Sequence, residues 1–146
     1  MKGENYMNLE FPSKSSNEAF ARSAVACFAA QLDPTLDELG DIKTAVSEAV
    51  TNCIVHAYPD RIGPIILKAR ILPENVLDLV IKDRGCGIAD VEQARKPMFT
   101  TGGEERSGMG ITIMENFMTE FRLTSTPGKG TTVHMKRRIV CRGGKK

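Results

Sequence analysis

The chain has 146 residues, enough for one domain whose core needs no disulfide or metal staple. Hydrophobic residues make up 41% and charged residues 26%, a globular balance that excludes disorder over most of the length. The net charge of +2 argues against a nucleic-acid-binding surface, and the local basic excess from Lys136 to Lys146 reads as a solvated C-terminal tail.

Taken in chain order, Asn8 to Phe11 reads as a short strand. Ser15 followed by Glu18 has the form of a capping box, so a helix is predicted there, with Phe20, Ala24, Cys27 and Phe28 as its apolar stripe. Asp33-Pro34 breaks it. Thr35 and Glu38 repeat the capping pattern and open a second helix that ends near Tyr58-Pro59. Ile42, Ala45, Val46, Ala49, Val50, Cys53, Ile54 and Ala57 follow helical spacing along it, and Gly40 is a weak point near its start.

Two strands follow, Ile65 to Leu72 and Val76 to Ile81, joined by Pro73-Glu74-Asn75. A Gly-containing loop from Asp83, a short helix from Asp90 to Arg95 and a polar stretch from Pro97 to Gly108 come next. A helix from Met109 to Phe121 then leads into a hairpin of Phe121 to Ser125 and Thr131 to Lys136 around Pro127-Gly128-Lys129-Gly130. This order predicts an α/β (α+β) two-layer sandwich, a mixed β-sheet with helices packed on one face. Residues 1–138 form the single domain and 139–146 the basic tail, expected to be disordered.

The four cysteines, Cys27, Cys53, Cys86 and Cys141, form no C-x-x-C pair, and His56 and His134 stand at no metal-ligand spacing from them. Cys27 and Cys53 fall on apolar helix faces, where cysteine behaves as a small hydrophobe. With no leader-like start and no run of ~18 apolar residues, a reduced, soluble, cytoplasmic protein is expected.

Four groups of residues can carry chemistry. Glu48, Asn52 and His56 lie at i, i+4 and i+8 on the rim of the second helix's apolar stripe, where a polar row faces a cleft more often than bulk water. An amide oxygen suits Mg²⁺ and a glutamate one turn away can take a proton; E-x-x-x-N alone also fits an ordinary solvated helix edge. Asp83-x-Gly85-x-Gly87 follows a strand, so a carboxylate at the strand end can accept from an exocyclic amine. The glycines permit close approach and positive φ, although a plain turn has the same composition. Arg106-Ser107-Gly108-Met109-Gly110 opens a helix, where free N–H groups and a guanidinium make an anion site, or simply a flexible helix start. Thr131, entering the last strand, can add a hydroxyl to base recognition; alone it shows only β-propensity.

In this order the four motifs resemble the GHKL ATPase/kinase family: E-x-x-x-N as its N-box, D-x-G-x-G and G-x-G as its glycine boxes. The stretch Ser47 to Asn52, Phe99-Thr100-Thr101, and Arg106 to Phe117 are similar to the anti-sigma serine kinases of spore-forming bacteria. The resemblance runs from about Asn8 to Thr132. It implies a Bergerat-type ATP-binding fold and a homodimeric serine-protein kinase using ATP, ADP and Mg²⁺. Such a protein would hold a sigma factor of the sporulation sigma F type and phosphorylate an anti-anti-sigma protein on serine. It assigns Glu48 as general base, Asn52 as the Mg²⁺ ligand, and Asp83 with Thr131 to the adenine, in a pocket shaped by Gly85 and Gly87. Gly108 and Gly110 fall to the phosphates, Arg106 to the terminal phosphate, Thr100, Thr101, Ser107 and Met109 to ATP binding and Arg22 to a partner. Gly102-Gly103 stands where relatives carry a Lys-Pro step.

Competing readings are weaker. A nucleotide-dependent binding switch without catalysis does not need Glu48 beside the metal ligand. A histidine kinase core needs an upstream phosphoacceptor histidine, and only His56 and His134 are present. Mismatch-repair and chaperone ATPases need a further transducer domain, and a structural or DNA-binding module fits the near-neutral charge poorly.

Overall fold

A computed structural model describes residues 5–86, 114 and 118–140. Five strands and two helices are described: β1 (Asn5–Pro12), α1 (Ser16–Ala29), α2 (Leu36–Asn52), β2 (Pro64–Leu72), β3 (Val76–Asp83), β4 (Glu120–Thr126) and β5 (Gly130–Arg138). The strands form one sheet in the order β1-β2-β3-β5-β4. The sequence pointed to a mixed sheet with helices on one face; each described pairing is antiparallel. Between β1 and β2 the chain makes an excursion of two helices and returns in the opposite direction. β2–β3 and β4–β5 are hairpins. The first turns through Glu74 and Asn75, both at positive φ, the second through Gly128, also at positive φ.

Strand alternation decides which face is covered. Ile65, Leu67, Ala69 and Ile71 of β2, Leu77, Leu79 and Ile81 of β3, and Val133 and Met135 of β5 are buried on one face. They pack with Ile42, Ala45, Val46, Ala49 and Val50 of α2 and Ala21, Val25, Phe28 and Ala29 of α1 in a single core. Helix α2 forms as its periodicity requires. Thr35 Oγ1 accepts from the Glu38 N–H at 3.0 Å and Glu38 Oε1 accepts from the Thr35 N–H at 2.9 Å, completing the capping box. Beyond Asn52 the helix continues as one π turn, Cys53–Ala57.

Helix α1 departs from its predicted detail. Ser15 makes no side-chain cap: it stands at helical φ -59° and ψ -30° and its carbonyl accepts the Glu18 N–H at 3.2 Å, while the Glu18 carboxylate is engaged with Ser47 and with Arg22. The buried stripe is Ala21, Val25, Phe28 and Ala29, while Phe20 is 51% exposed and Cys27 is exposed. Small residues face α2 because they let the two helix backbones approach. The helix ends in a 3-10 turn, Ala30–Leu32, at the predicted Asp33-Pro34 break, with Asp33 left-handed at φ 54° as its C-cap.

Two predicted boundaries move. The strand β4 opens at Glu120, so Phe121 belongs to it and not to the helix predicted there. The basic run begins inside β5, with Arg137 on Asp41 at 3.0 Å and Arg138 on Glu74 at 2.8 Å. Ile139, placed in the tail by sequence, is buried. Its N–H donates to the Asn75 carbonyl, and the Val140 N–H donates to Glu38 Oε2 at 2.6 Å.

The open face of the sheet carries Tyr6, Asn8, Lys68, Arg70, Asp78 and Val80 around a shallow groove of about 470 Å³. Asp78 is only 1% exposed there, covered by Arg70 at 2.6 and 2.9 Å and by His134. Among the described residues, none of the predicted site residues lines this groove.

Candidate functional site

Of the predicted site residues that the structure describes, all but Arg22 lie on or beside the C-terminal part of α2 and the end of β3. Glu48 and Asn52 lie one turn apart on α2 and His56 follows in the π turn; all three are half-buried, as their position on the rim requires. A π turn replaces an ordinary helical turn at the last residues before the chain leaves the helix, a feature frequent at functional sites.

Asp83 is the last residue of β3 and is 6% exposed. Its Oδ1 accepts from the Gly85 N–H at 2.9 Å and from the Thr131 N–H at 3.2 Å. The thiol of Cys53, first residue of the π turn, donates to Oδ2 with Sγ at 3.6 Å. Each carboxylate oxygen takes about two donors. Among the described residues, Oδ1 is therefore filled and one acceptor direction remains on Oδ2. Burial pushes the Asp83 carboxyl above the ordinary range, opposed by the N–H groups of Gly85 and Thr131 and by the thiol. Burial, then the Asp83 charge and this hydrogen bond, push the Cys53 thiol well up, so it keeps the proton it donates.

The backbone around Asp83 is held from three sides. The Arg84 N–H donates to the Tyr58 hydroxyl at 2.6 Å, and that hydroxyl donates to the Pro64 carbonyl at 2.7 Å. The Cys86 N–H donates to the Ala57 carbonyl at 3.1 Å, and the Gly128 N–H donates to the Cys86 carbonyl at 2.6 Å. Gly85 was expected to supply positive φ. It is instead needed for close packing: a Cβ there would stand 2.2 Å from the Ala57 carbonyl oxygen. Positive φ occurs at Gly130, φ 129°, where a Cβ would also meet the Asp83 carbonyl oxygen at 2.1 Å.

Thr131 reaches Asp83 through its N–H, while its hydroxyl is hydrogen-bonded to Ser125 Oγ at 2.8 Å. Arg22 lies on α1, its guanidinium 3.3 Å from Glu18, which also accepts from the Ser47 hydroxyl next to Glu48. Gly87, Thr100, Thr101, Arg106, Ser107, Gly108, Met109 and Gly110 lie outside the described residues, as does Cys141. Among the described residues no three His, Cys, Asp or Glu side chains gather as a metal site, and no helix is long and apolar enough to cross a membrane. The contact that the sequence did not reveal is the one between Cys53 and Asp83. Position 53 sits on an apolar stripe, where cysteine reads as a small hydrophobe.

A family model described as the histidine kinase-like ATPase domain matches residues 11–137. The chain is 58% identical over 140 residues to an anti-sigma F factor of Caldanaerobacter subterraneus subsp. tengcongensis, covering 95% of this chain and 97% of that protein. It is 54% identical over 137 residues to an anti-sigma F factor of Geobacillus kaustophilus, covering 93% and 94%. Among solved structures, the RsbU and RsbW domains of a Mycobacterium tuberculosis protein share the fold with a TM-score of 0.69 at 18% identity, over 92% of this chain and 32% of that one. A histidine kinase domain from Erythrobacter litoralis EL346 shares it at 0.58 and 21%, over 84% of this chain and 60% of that one.

Proposed function

Because the chain belongs to the histidine kinase-like ATPase domain family and, within it, to the anti-sigma F factors, we propose that it is an ATP-dependent anti-sigma factor and serine-protein kinase. It holds a sporulation sigma factor of the sigma F type as a cytoplasmic homodimer, and it phosphorylates an anti-anti-sigma protein on serine. The observation that carries the nucleotide part is Asp83. It is a buried carboxylate at a strand end, beside the polar edge of α2, and among the described residues Oδ1 is filled and one direction is open on Oδ2. A single N–H donor is the partner such a group lacks, and the exocyclic amine of adenine supplies one.

The residues along α2 then fall to the phosphate end. Asn52 would offer one amide oxygen to Mg²⁺. The metal supplies charge neutralisation when bound. Glu48, one turn away, orients the substrate serine hydroxyl and accepts its proton as the new O–P bond forms and the bond from the γ-phosphorus to the ADP oxygen breaks. In a loose transition state this transfer is late, so orientation is the larger part of its role. Arg106, Gly108 and Gly110 are proposed to contact the phosphates, Thr100, Thr101, Ser107 and Met109 to take part in ATP binding, and Gly87 to complete the base pocket. Arg22, tied through Glu18 toward the Ser47–Glu48 segment, is proposed as a partner contact.

Transfer of label from γ-labelled ATP, with Mg²⁺, to a co-purified anti-anti-sigma protein tests this reading. Phosphoserine on that protein, lost in Glu48→Gln with ATP binding retained, is expected. Nucleotide binding without transfer in the wild type would leave a partner-binding switch and remove the kinase assignment.

A further inference from the structure

The carboxylate of Asp83 is held asymmetrically. Two backbone N–H groups, from Gly85 and Thr131, converge on Oδ1. Rotation about the Cβ–Cγ bond is soft and moves both oxygens together, so a donor on Oδ2 adds to the two on Oδ1 in resisting it. The only described contact that sets Oδ2 is the thiol of Cys53, at 3.6 Å. Cys53 is 5% exposed and comes from a different layer, thirty residues earlier in the chain. It also follows Asn52 directly, so the bond that aims Oδ2 ties the α2 end of the site to its β3 end.

We propose that Cys53 is a positioning residue for nucleotide-base selection, its thiol fixing the Asp83 carboxylate so that the open Oδ2 direction faces a base amine. This rests on the nucleotide reading above. Burial and the neighbouring carboxylate keep the sulfur protonated, and only a protonated sulfur can act as this donor. A base with a carbonyl in place of the amine presents an acceptor to an acceptor and is rejected. That rejection is sharp only while the carboxylate cannot turn away.

The test compares binding of ADP and of inosine diphosphate, which carries a carbonyl where adenine carries the amine, to the wild type, Cys53→Ala, Cys53→Ser and Asp83→Asn. Thermal melting of each variant controls for folding. Cys53→Ala is expected to lower the preference for ADP over inosine diphosphate by about three- to tenfold, the range of one hydrogen bond. Cys53→Ser, which restores a donor, is expected to hold the wild-type preference. Cys53→Val, of similar volume and without a donor, carries the expectation of the alanine variant should that one not fold. An unchanged preference in Cys53→Ala or Cys53→Val, or an equal fall in Cys53→Ser, overturns the role of the thiol. If Asp83→Asn loses the preference in the same experiment, the nucleotide reading stands without Cys53. A wild type that does not discriminate, or binds neither nucleotide, overturns both.

Discussion

Replacing Asp83 by asparagine separates what the fold needs from what a ligand needs. The amide keeps an oxygen for the N–H groups of Gly85 and Thr131, 2.9 and 3.2 Å from Oδ1, and removes the charge. In the wild type burial raises the Asp83 carboxyl above its ordinary value. A group whose folded pKa is raised contributes stability that is fully present below its unfolded pKa, about 3.9, and lost as pH rises through the folded value. The melting temperature of Asp83→Asn relative to wild type should therefore improve as pH rises from about 4 to 7. Nucleotide affinity should move the other way. The asparagine sets an NH₂ where Oδ2 stood, donor against donor, at a site only 6% exposed. An unsatisfied buried polar group costs about 1–3 kcal/mol, or roughly five- to 150-fold in Kd for ADP. Calorimetric titration of ADP and thermal melts across pH measure both sides. ADP affinity within about twofold of wild type would refute the base-recognition role. A stability difference constant across pH would refute the charge penalty.

Gly85→Ala would place a methyl group 2.2 Å from the Ala57 carbonyl oxygen, which already accepts from the Cys86 N–H. A loss of about 1–3 kcal/mol in urea unfolding and weaker ADP binding are expected, and an unchanged midpoint would show that the loop relaxes freely. Glu38 is held below the ordinary carboxylate range: burial pushes it up, but the N–H groups of Val140 and Thr35 and the Arg137 charge outweigh that. Its stabilisation is present above its unfolded pKa and lost as pH falls through the folded value. Glu38→Gln should thus lower the melting temperature at pH 7 and converge on wild type in acid; a gap that persists in acid contradicts this. Gly40 lies within α2 with nothing within 4 Å of where a Cβ would stand. Gly40→Ala should stabilise by about 1 kcal/mol, read from denaturant midpoints, and a loss would mean that the position needs glycine's freedom.

Local rules made α2 and the hairpins legible. Thr35 and Glu38 cap α2 from within four residues, and its stripe keeps helical spacing for four turns, so nothing distant is needed to form it. Helix α1 obeys the same periodicity, but bulk misleads: Phe20 and Cys27 look like core residues and Ala21 and Ala29 hold those places. Ser15 and Glu18 match a capping box in sequence, yet Glu18 has a partner twenty-nine residues away in Ser47. The pairings β1–β2 and β3–β5 join segments separated by whole elements, and no local pattern encodes them. In the site, the rim positions of Glu48 and Asn52 and the strand-end position of Asp83 follow from spacing alone. The Cys53 contact does not, because it depends on how α2 lies across β3.

That placement makes α2 the element that sets the site, and its two ends have different duties. At its N-terminal end Glu38 fastens the cap and the Val140 N–H, and Asp41 receives Arg137. These bonds hold the helix against the end of β5 and contribute to stability. At its C-terminal end the π turn carries Cys53 to Asp83 and Ala57 to the Cys86 N–H, which aims the carboxylate and the glycine loop. Changes at Gly40 and Glu38 should therefore shift unfolding midpoints while leaving the preference among nucleotides untouched. Changes at Cys53 should shift the preference as well as the midpoint, because its buried thiol bonds a buried carboxylate. A variant at the N-terminal end that altered base preference would mean that the two ends of the helix are coupled, and that α2 moves as a unit when the site is occupied.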